Sequence, residues 1–195
     1  MSHLSETSVA APKLGNPAAV GLGAFGLTTF MLQLHGLGLI GMGPVLWLGL
    51  FYGGMAQVLV GLHEHKSGNN FGYSVFTSYG CFWLSFSAML IASHYDLFPV
   101  SKTDVGWYLV AWAIYTGIMM IGSARANKVL FTVFVTLFLG LVTLAVEHFG
   151  GPESLATVSA VLLLITAGCV WYVMAHIVLG DAFGRDVLPV GKPVL

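Results

Sequence analysis

The chain has 195 residues, of which 57% are hydrophobic and only 8% charged, with a formal net charge of −1. A soluble domain carries about 25% charged residues, so this chain has too few ionic groups to solvate a globular surface, and it offers no basic patch for nucleic acid. The composition is that of an all-α integral membrane protein, in which each crossing segment needs about 20 apolar residues.

Residues 1–15 read as a short tail. The first span, Ala18–Leu39, opens on Asn16-Pro17 and then places Gly21, Gly23 and Gly26 within six positions. It is longer than the apolar region of a signal peptide and has no small-x-small cleavage site after it. Asn is a good N-cap and Pro belongs in a first helical turn. The free N–H groups and positive dipole end of the helix that follows favour an anion. Bare glycine positions admit either a neighbouring backbone or a small solute. Asn16 and Gly21 are therefore candidates for contact with an anion or small solute, with helix packing as the competing explanation. The same span carries Thr28, Thr29, Gln33 and His35.

The second span, Pro44–Leu62, contains the close-packing pattern Gly49-x-x-x-Gly53 and the amide Gln57. His63-Glu64-His65-Lys66 follows and reads as a solvated span end; one such cluster is too little for a di-iron centre, and no metal is expected. Gly68-Asn69-Asn70-Phe71-Gly72 can cap the third span, Phe71–Ala92, in which Thr77-Ser78-Tyr79-Gly80 presents successive hydroxyls. Spans four to six run over Gly106–Ile121, Val129–Val146 and Leu155–Leu179, with residues 181–195 as a second tail. Residues 16–180 thus form one bundle of six spans.

Short loops place six of the seven basic residues on one side: Lys13, Lys66, Arg125, Lys128, Arg185 and Lys192. Lys102 alone lies opposite, so both termini are expected on the cytoplasmic side. Gly80-Cys81-x-Trp83 recurs as Gly168-Cys169-x-Trp171 after 88 residues. Two three-span repeats of opposite orientation, the inverted design of many transporters, leave such an echo. All eight acids lie in tails, loops or span ends, so a buried carboxylate is not expected to carry a coupling ion. Among histidines only His35 and His176 fall inside the expected spans. The in-span polar groups are otherwise neutral, and the two amides, Gln33 and Gln57, have the most hydrogen-bonding groups to satisfy in a dry core. No nucleophile–base pair or cofactor motif suggests an enzyme.

Asn16-Pro17-Ala18-Ala19-Val20-Gly21-Leu22 resembles the Asn-Pro-Ala-Pro-Leu-Gly-Leu signature of the acetate uptake transporter family, the acetate/succinate:proton symporters. The resemblance continues through Leu34-His35, Phe51-Tyr52-Gly53-Gly54-x-Ala56-Gln57, Gly68-Asn69-x-Phe71-Gly72, Phe76-Thr77-Ser78-Tyr79-Gly80-x-Phe82-Trp83 and Phe183-Gly184-Arg185-x-Val187-Leu188-Pro189-x-Gly191. It implies a six-span protomer in the cell membrane, assembled as a homo-hexamer with one pathway per protomer, that moves acetate and related small carboxylates with protons. It also implies a hydrophobic constriction at Phe25, Tyr79 and Leu137. Ile177, beside His176, stands where bacterial relatives are expected to carry Glu. The resulting pathway candidates are Asn16, Gly21, Phe25, Thr28, Gln33, Gln57, Ser78, Tyr79 and Leu137, with His35 and His176 as the candidate proton carriers, the alternative being that both are neutral and hydrogen-bonded within the bundle. The alternative is a passive channel for small anions or for neutral solutes such as urea.

Overall fold

The computed structural model describes residues 14–195; residues 1–13, which include Lys13 and most of the first tail, lie outside the described part. Six helices are long and apolar enough to cross a membrane: α1 Ala18–Gly36, α2 Gly43–Lys66, α3 Asn70–His94, α4 Lys102–Ser123, α5 Lys128–His148 and α6 Ser154–Phe183. Their starts are set by local chemistry. The Asn69 side chain accepts from the Gly72 N–H at 3.1 Å, and that of Asn127 accepts from the Leu130 N–H at 2.8 Å. Ser101 and Asp104 form a reciprocal capping box before α4. Within α2 the turn widens over Phe51–Ala56, where the paired glycines Gly53 and Gly54 offer no Cβ to resist it.

Consecutive helices are neighbours and α6 returns to α1, so the six form a closed ring. α1 is the most enclosed of them, half buried along its apolar window, and its glycines explain why. A Cβ on Gly21 would stand 2.6 Å from the Phe76 ring, and one on Gly26 would stand 2.6 Å from Trp171. Helix packing is thus what this run of glycines does here. The two glycines of the Gly49-x-x-x-Gly53 pattern face different partners: Gly49 meets Ser87 of α3, whereas Gly53 meets Thr28 of α1.

The α3–α4 seam is built differently, with long side chains bridging two more distant backbones. Tyr108 donates to the Phe82 carbonyl at 3.0 Å and Tyr115 to the Ser74 carbonyl at 2.8 Å. α6 runs four residues past the expected end at Leu179. Gly184, at φ 65°, then reverses the chain in the left-handed region that glycine enters without strain. The tail that follows lies against the bundle, with Tyr172 donating to the Pro189 carbonyl at 3.0 Å and the Val194 N–H bonded to the Ala124 carbonyl at 2.8 Å.

Three spans per half is an odd number, so the second half enters from the opposite face, as inverted repeats require. Lys102 follows Ala18 by 84 residues, Lys128 follows Gly43 by 85 and Ser154 follows Asn70 by 84. The Gly-Cys echo, spaced by 88, is therefore about one helical turn out of register with these starts.

The Gly53 contact gives a stability test. Gly53→Val would drive a branched side chain into Thr28, whose Oγ1, Cβ and Cγ2 all lie within 2.9 Å of the first added carbon. A β-branched neighbour has little rotamer freedom to yield, so a loss of about 1–3 kcal/mol is expected, the usual cost of overpacking. Gly36→Ala, which meets open space, is expected to leave thermal unfolding in detergent unchanged or slightly raised.

Candidate functional site

Two cavities lie in series inside the ring. The inner one, about 240 Å³, opens toward the face that carries the chain termini and is walled by residues that include Leu22, Gln57, Asn69, Asn127, Val173 and His176. The outer one, about 190 Å³, opens toward the opposite face, between residues that include Thr29, Gln33, Trp83, Trp112, His148 and Leu163. Both are smaller than the roughly 300–1,000 Å³ of a site for a drug-sized ligand, so they suit solutes of a few heavy atoms. Three residues line both cavities: Phe25, Tyr79 and Leu137. They come from α1, α3 and α5, are 7%, 3% and 5% exposed, and form the neck between the cavities.

The neck is apolar on its surface. The Phe25 and Tyr79 rings meet edge to face at 5.5 Å between centroids. Tyr79 shares a 2.7 Å hydrogen bond with Thr116, and Thr116 donates to the Trp112 carbonyl at 2.7 Å. Thr116 has only one hydroxyl hydrogen, so Tyr79 is the donor in the shared bond. Its O–H is fixed by α4 and its ring faces Phe25. An ion reaching this ring of side chains finds no charge of opposite sign among them.

Beyond the neck the cavity walls hold polar groups without partners. Gln57 is completely buried, and neither its Oε1 nor its Nε2 has a hydrogen-bond partner in the described structure. On the outer side, Thr29 Oγ1 and Trp83 Nε1 are likewise buried and unpartnered. An orphaned buried polar group costs about 1–3 kcal/mol, and a polar solute in the cavity is what can offset that cost.

Of the residues singled out from sequence, Phe25, Gln33, Gln57, Tyr79, Leu137 and His176 line the passage. Asn16 lies at its inner entrance, in an open groove of about 790 Å³ that shares His176 and Ile177 with the inner cavity. The first N–H groups of α1 are taken up within the chain. Asn16 Oδ1 accepts from the Ala18 N–H at 3.0 Å, and the Pro17 carbonyl accepts from Val20 and Gly21. The start of α1 is therefore not an open anion cradle, because its own acceptors fill it.

Gly21 packs on Phe76, and Thr28 donates to the Ala24 carbonyl at 2.8 Å under Gly53. Ser78 shares a 2.9 Å hydrogen bond with Tyr115 in the α3–α4 seam. His35 Nδ1 lies 3.0 Å from the Ile40 carbonyl, beyond the end of α1. None of these four lines either cavity.

Trp83 and His148 line the outer cavity and are not among the residues that the sequence singles out. Trp83 could have been found from Tyr79, since residues four apart share a helix face; His148 reads in sequence as a solvated span end. Glu64 and Glu147 also sit at span ends yet are 3% and 8% exposed. Glu64 accepts from Asn69 at 2.6 Å, and Glu147 is paired with Lys102. Among the described residues, no three His, Cys, Asp or Glu side chains converge as metal ligands.

Comparison with known proteins adds to this geometry. The profile of the GPR1/FUN34/yaaH family matches residues 3–183. The succinate-acetate/proton symporter SatP of Escherichia coli strain K12 is 38% identical over 182 residues, covering 92% of this chain and 97% of that protein. Acetate permease A of Emericella nidulans is 33% identical over 154 residues, 72% of this chain and 52% of that one. The solved structure of the bacterial acetate channel SatP superposes with a TM-score of 0.88 at 39% identity, covering 92% of this chain and all of that one.

Proposed function

Because this chain belongs to the GPR1/FUN34/yaaH family, we propose that it moves acetate and related small carboxylates, succinate among them, across a membrane, with a proton accompanying the substrate. The observation that carries the reading is the pair of cavities joined only at Phe25, Tyr79 and Leu137. A carboxylate in the outer cavity can accept from the Thr29 hydroxyl and the Trp83 indole N–H, with Gln33 nearby. In the inner cavity the Gln57 amide plays the same part, with Asn69 and Asn127 in the wall.

The neck decides which form of the substrate crosses. A carboxylic acid with an ordinary pKa of roughly 4 to 5 is almost wholly anionic at neutral pH. Stripping water from that anion between two aromatic rings and a leucine has nothing to balance it. Moving the bare charge inward against an inside-negative potential costs a further ~2.3 kcal/mol per 100 mV. The neutral acid avoids both costs, so passage with one proton per carboxylate group is electroneutral. His176, at the wall of the inner cavity, is the group placed to take that proton. His35, held at Ile40 outside both cavities, serves the turn after α1.

A homo-hexamer with one pathway per protomer, in the cell membrane and with both termini cytoplasmic, is consistent with a passage enclosed by a protomer's own six helices. The uncharged neck also supports a second reading, a passive channel for small anions or neutral solutes such as urea. Acetate flux into proteoliposomes, with pH gradient and voltage set independently, separates the two. Uptake that follows an acid-outside gradient and ignores voltage is the expected result. Voltage-driven acetate currents, with urea flux alongside, would favour the channel. Acetate flux no faster than in protein-free liposomes would overturn both.

A further inference from the structure

The outer cavity holds its own titratable group. His148 ends α5 and its ring forms part of the cavity wall. Its Nδ1 lies 2.9 Å from the Leu144 carbonyl and 3.0 Å from Glu147 Oε2. Both neighbours are acceptors, so Nδ1 carries the hydrogen and donates. Glu147 is itself nearly buried and is held from the other side by Lys102 of α4. The ring is thus oriented by a carboxylate that is fixed in turn, and Nε2 is the nitrogen left without a partner among the described residues.

The inner cavity repeats the device. His176 Nδ1 lies 2.7 Å from the Leu188 carbonyl of the returning tail, so it also donates there and leaves Nε2 unpartnered. One histidine, tethered through Nδ1, therefore lines each cavity, on either side of an uncharged neck.

Building on the transport reading above, we propose that His148 and His176 are matched proton-exchange stations for the substrate. In the outer cavity, protonated His148 gives its Nε2 hydrogen to a carboxylate oxygen: the N–H bond breaks, an O–H bond forms, and the imidazole is left neutral. The neutral acid crosses the neck. In the inner cavity the acid's O–H bond breaks and its proton joins Nε2 of neutral His176, which releases an anion. His148 is reloaded from water on the outer side and His176 discharges into the groove on the inner side. Neither histidine carries charge through the neck.

The charged groups facing His148 are Glu147 on its own helix and, through it, Lys102 of α4. α1, α3 and α6 present Gln33, Trp83 and Ala160 there, none of them charged. His176 faces the neutral Gln57, Asn69 and Asn127 inside the cavity, with Glu64 behind Asn69, and it shares the entrance groove with Asp181, Arg185 and Asp186.

The test is the pH profile of protein-dependent acetate uptake by proteoliposomes at fixed total acetate and clamped voltage. Free acetic acid as the sole species gives a tenfold rise per unit of acidification down to the pKa of the acid, roughly 4 to 5. A proton donor in the outer cavity instead saturates once it is protonated, before the pKa of the acid is reached. Wild-type protein is expected to level off above that pKa. His148→Gln is expected to lose that plateau, rise tenfold per unit throughout, and run at least tenfold slower than wild type at pH 6.5. Glu147→Gln keeps the ring but removes the carboxylate that holds Nδ1, so its pH profile is expected to depart from the wild-type plateau. It also serves if His148→Gln does not assemble. His63→Gln, which lines neither cavity, is expected to keep the wild-type profile. A plateau unchanged in both His148→Gln and Glu147→Gln would overturn the proposal while leaving transport intact. Wild-type protein with no acetate flux would instead sink the transport reading.

Discussion

Replacing Leu137 by alanine is expected to admit lactate, whose branched C2 is wider than the unbranched chains of acetate and succinate, at a rate within a few-fold of that for acetate, where wild-type protein passes it at least tenfold more slowly. Leu137 is one of the three residues lining both cavities and is 5% exposed. Its side chain and the edge-to-face pair of Phe25 and Tyr79 are all that separates the two volumes. A pocket discriminates one extra small group by about 1–3 kcal/mol, or roughly 10–200-fold, and removing three carbons from the wall removes that steric term. The opposite change, Leu137→Trp, fills the neck and is expected to reduce acetate flux to that of protein-free liposomes. Leu→Ala in a closed core costs about 2–5 kcal/mol, so assembly of both variants is checked by size exclusion before flux is compared. A pair of well-assembled variants that both transport acetate and exclude lactate like wild type would place the neck elsewhere.

The spans were legible because the signal is physical and local: about 20 apolar residues in a row, bounded by capping side chains such as Asn69, Ser101 and Asn127. What the polar residues do inside the bundle was much less legible. Gly26 accommodates Trp171, a residue from the last span, and no local pattern in span one says whether a bare position admits a helix or a solute. The hydroxyl run Thr77-Ser78-Tyr79 looks uniform in sequence, yet its three members turn three ways. Thr77 packs on Gly61 of α2, Ser78 bonds to Tyr115 of α4, and Tyr79 faces the neck. Adjacent residues on a helix point about 100° apart, so only the position of the axis decides which one meets the passage. That axis is set by the ring, not by any one span. Phe25, Tyr79 and Leu137 were therefore reachable through a family resemblance and not through periodicity. His148 is hidden from sequence for a related reason. A histidine at a span end is normally solvated, and here it is tied to Glu147 of its own helix, which Lys102 of α4 holds in turn.

Gln57→Leu is expected to make the protein more stable and the transporter worse. Gln57 is fully buried with both amide atoms unpartnered, so the folded chain bears the desolvation cost of a donor and an acceptor, about 1–3 kcal/mol. Leucine has a similar volume and no polar atoms, so the substitution removes that cost without opening a large void. Thermal unfolding of the detergent-solubilised protein is therefore expected to shift upward. Transport should move the other way. A hydrogen bond to a charged partner is worth about 1.5–3 kcal/mol, which converts to roughly 10–150-fold weaker retention of a carboxylate in the inner cavity. Because the neck residues are untouched, exclusion of lactate should stay as in wild type, which separates this loss from a distorted pathway. Gln57→Glu supplies the contrasting case: a carboxylate at the same wall would repel the substrate anion and be buried without a cationic partner. Both stability and acetate flux are then expected to fall. A Gln57→Leu protein that melts lower than wild type would mean that the amide finds partners in the folded state and is structural. If it also transported acetate at the wild-type rate, Gln57 would have no place among the substrate contacts.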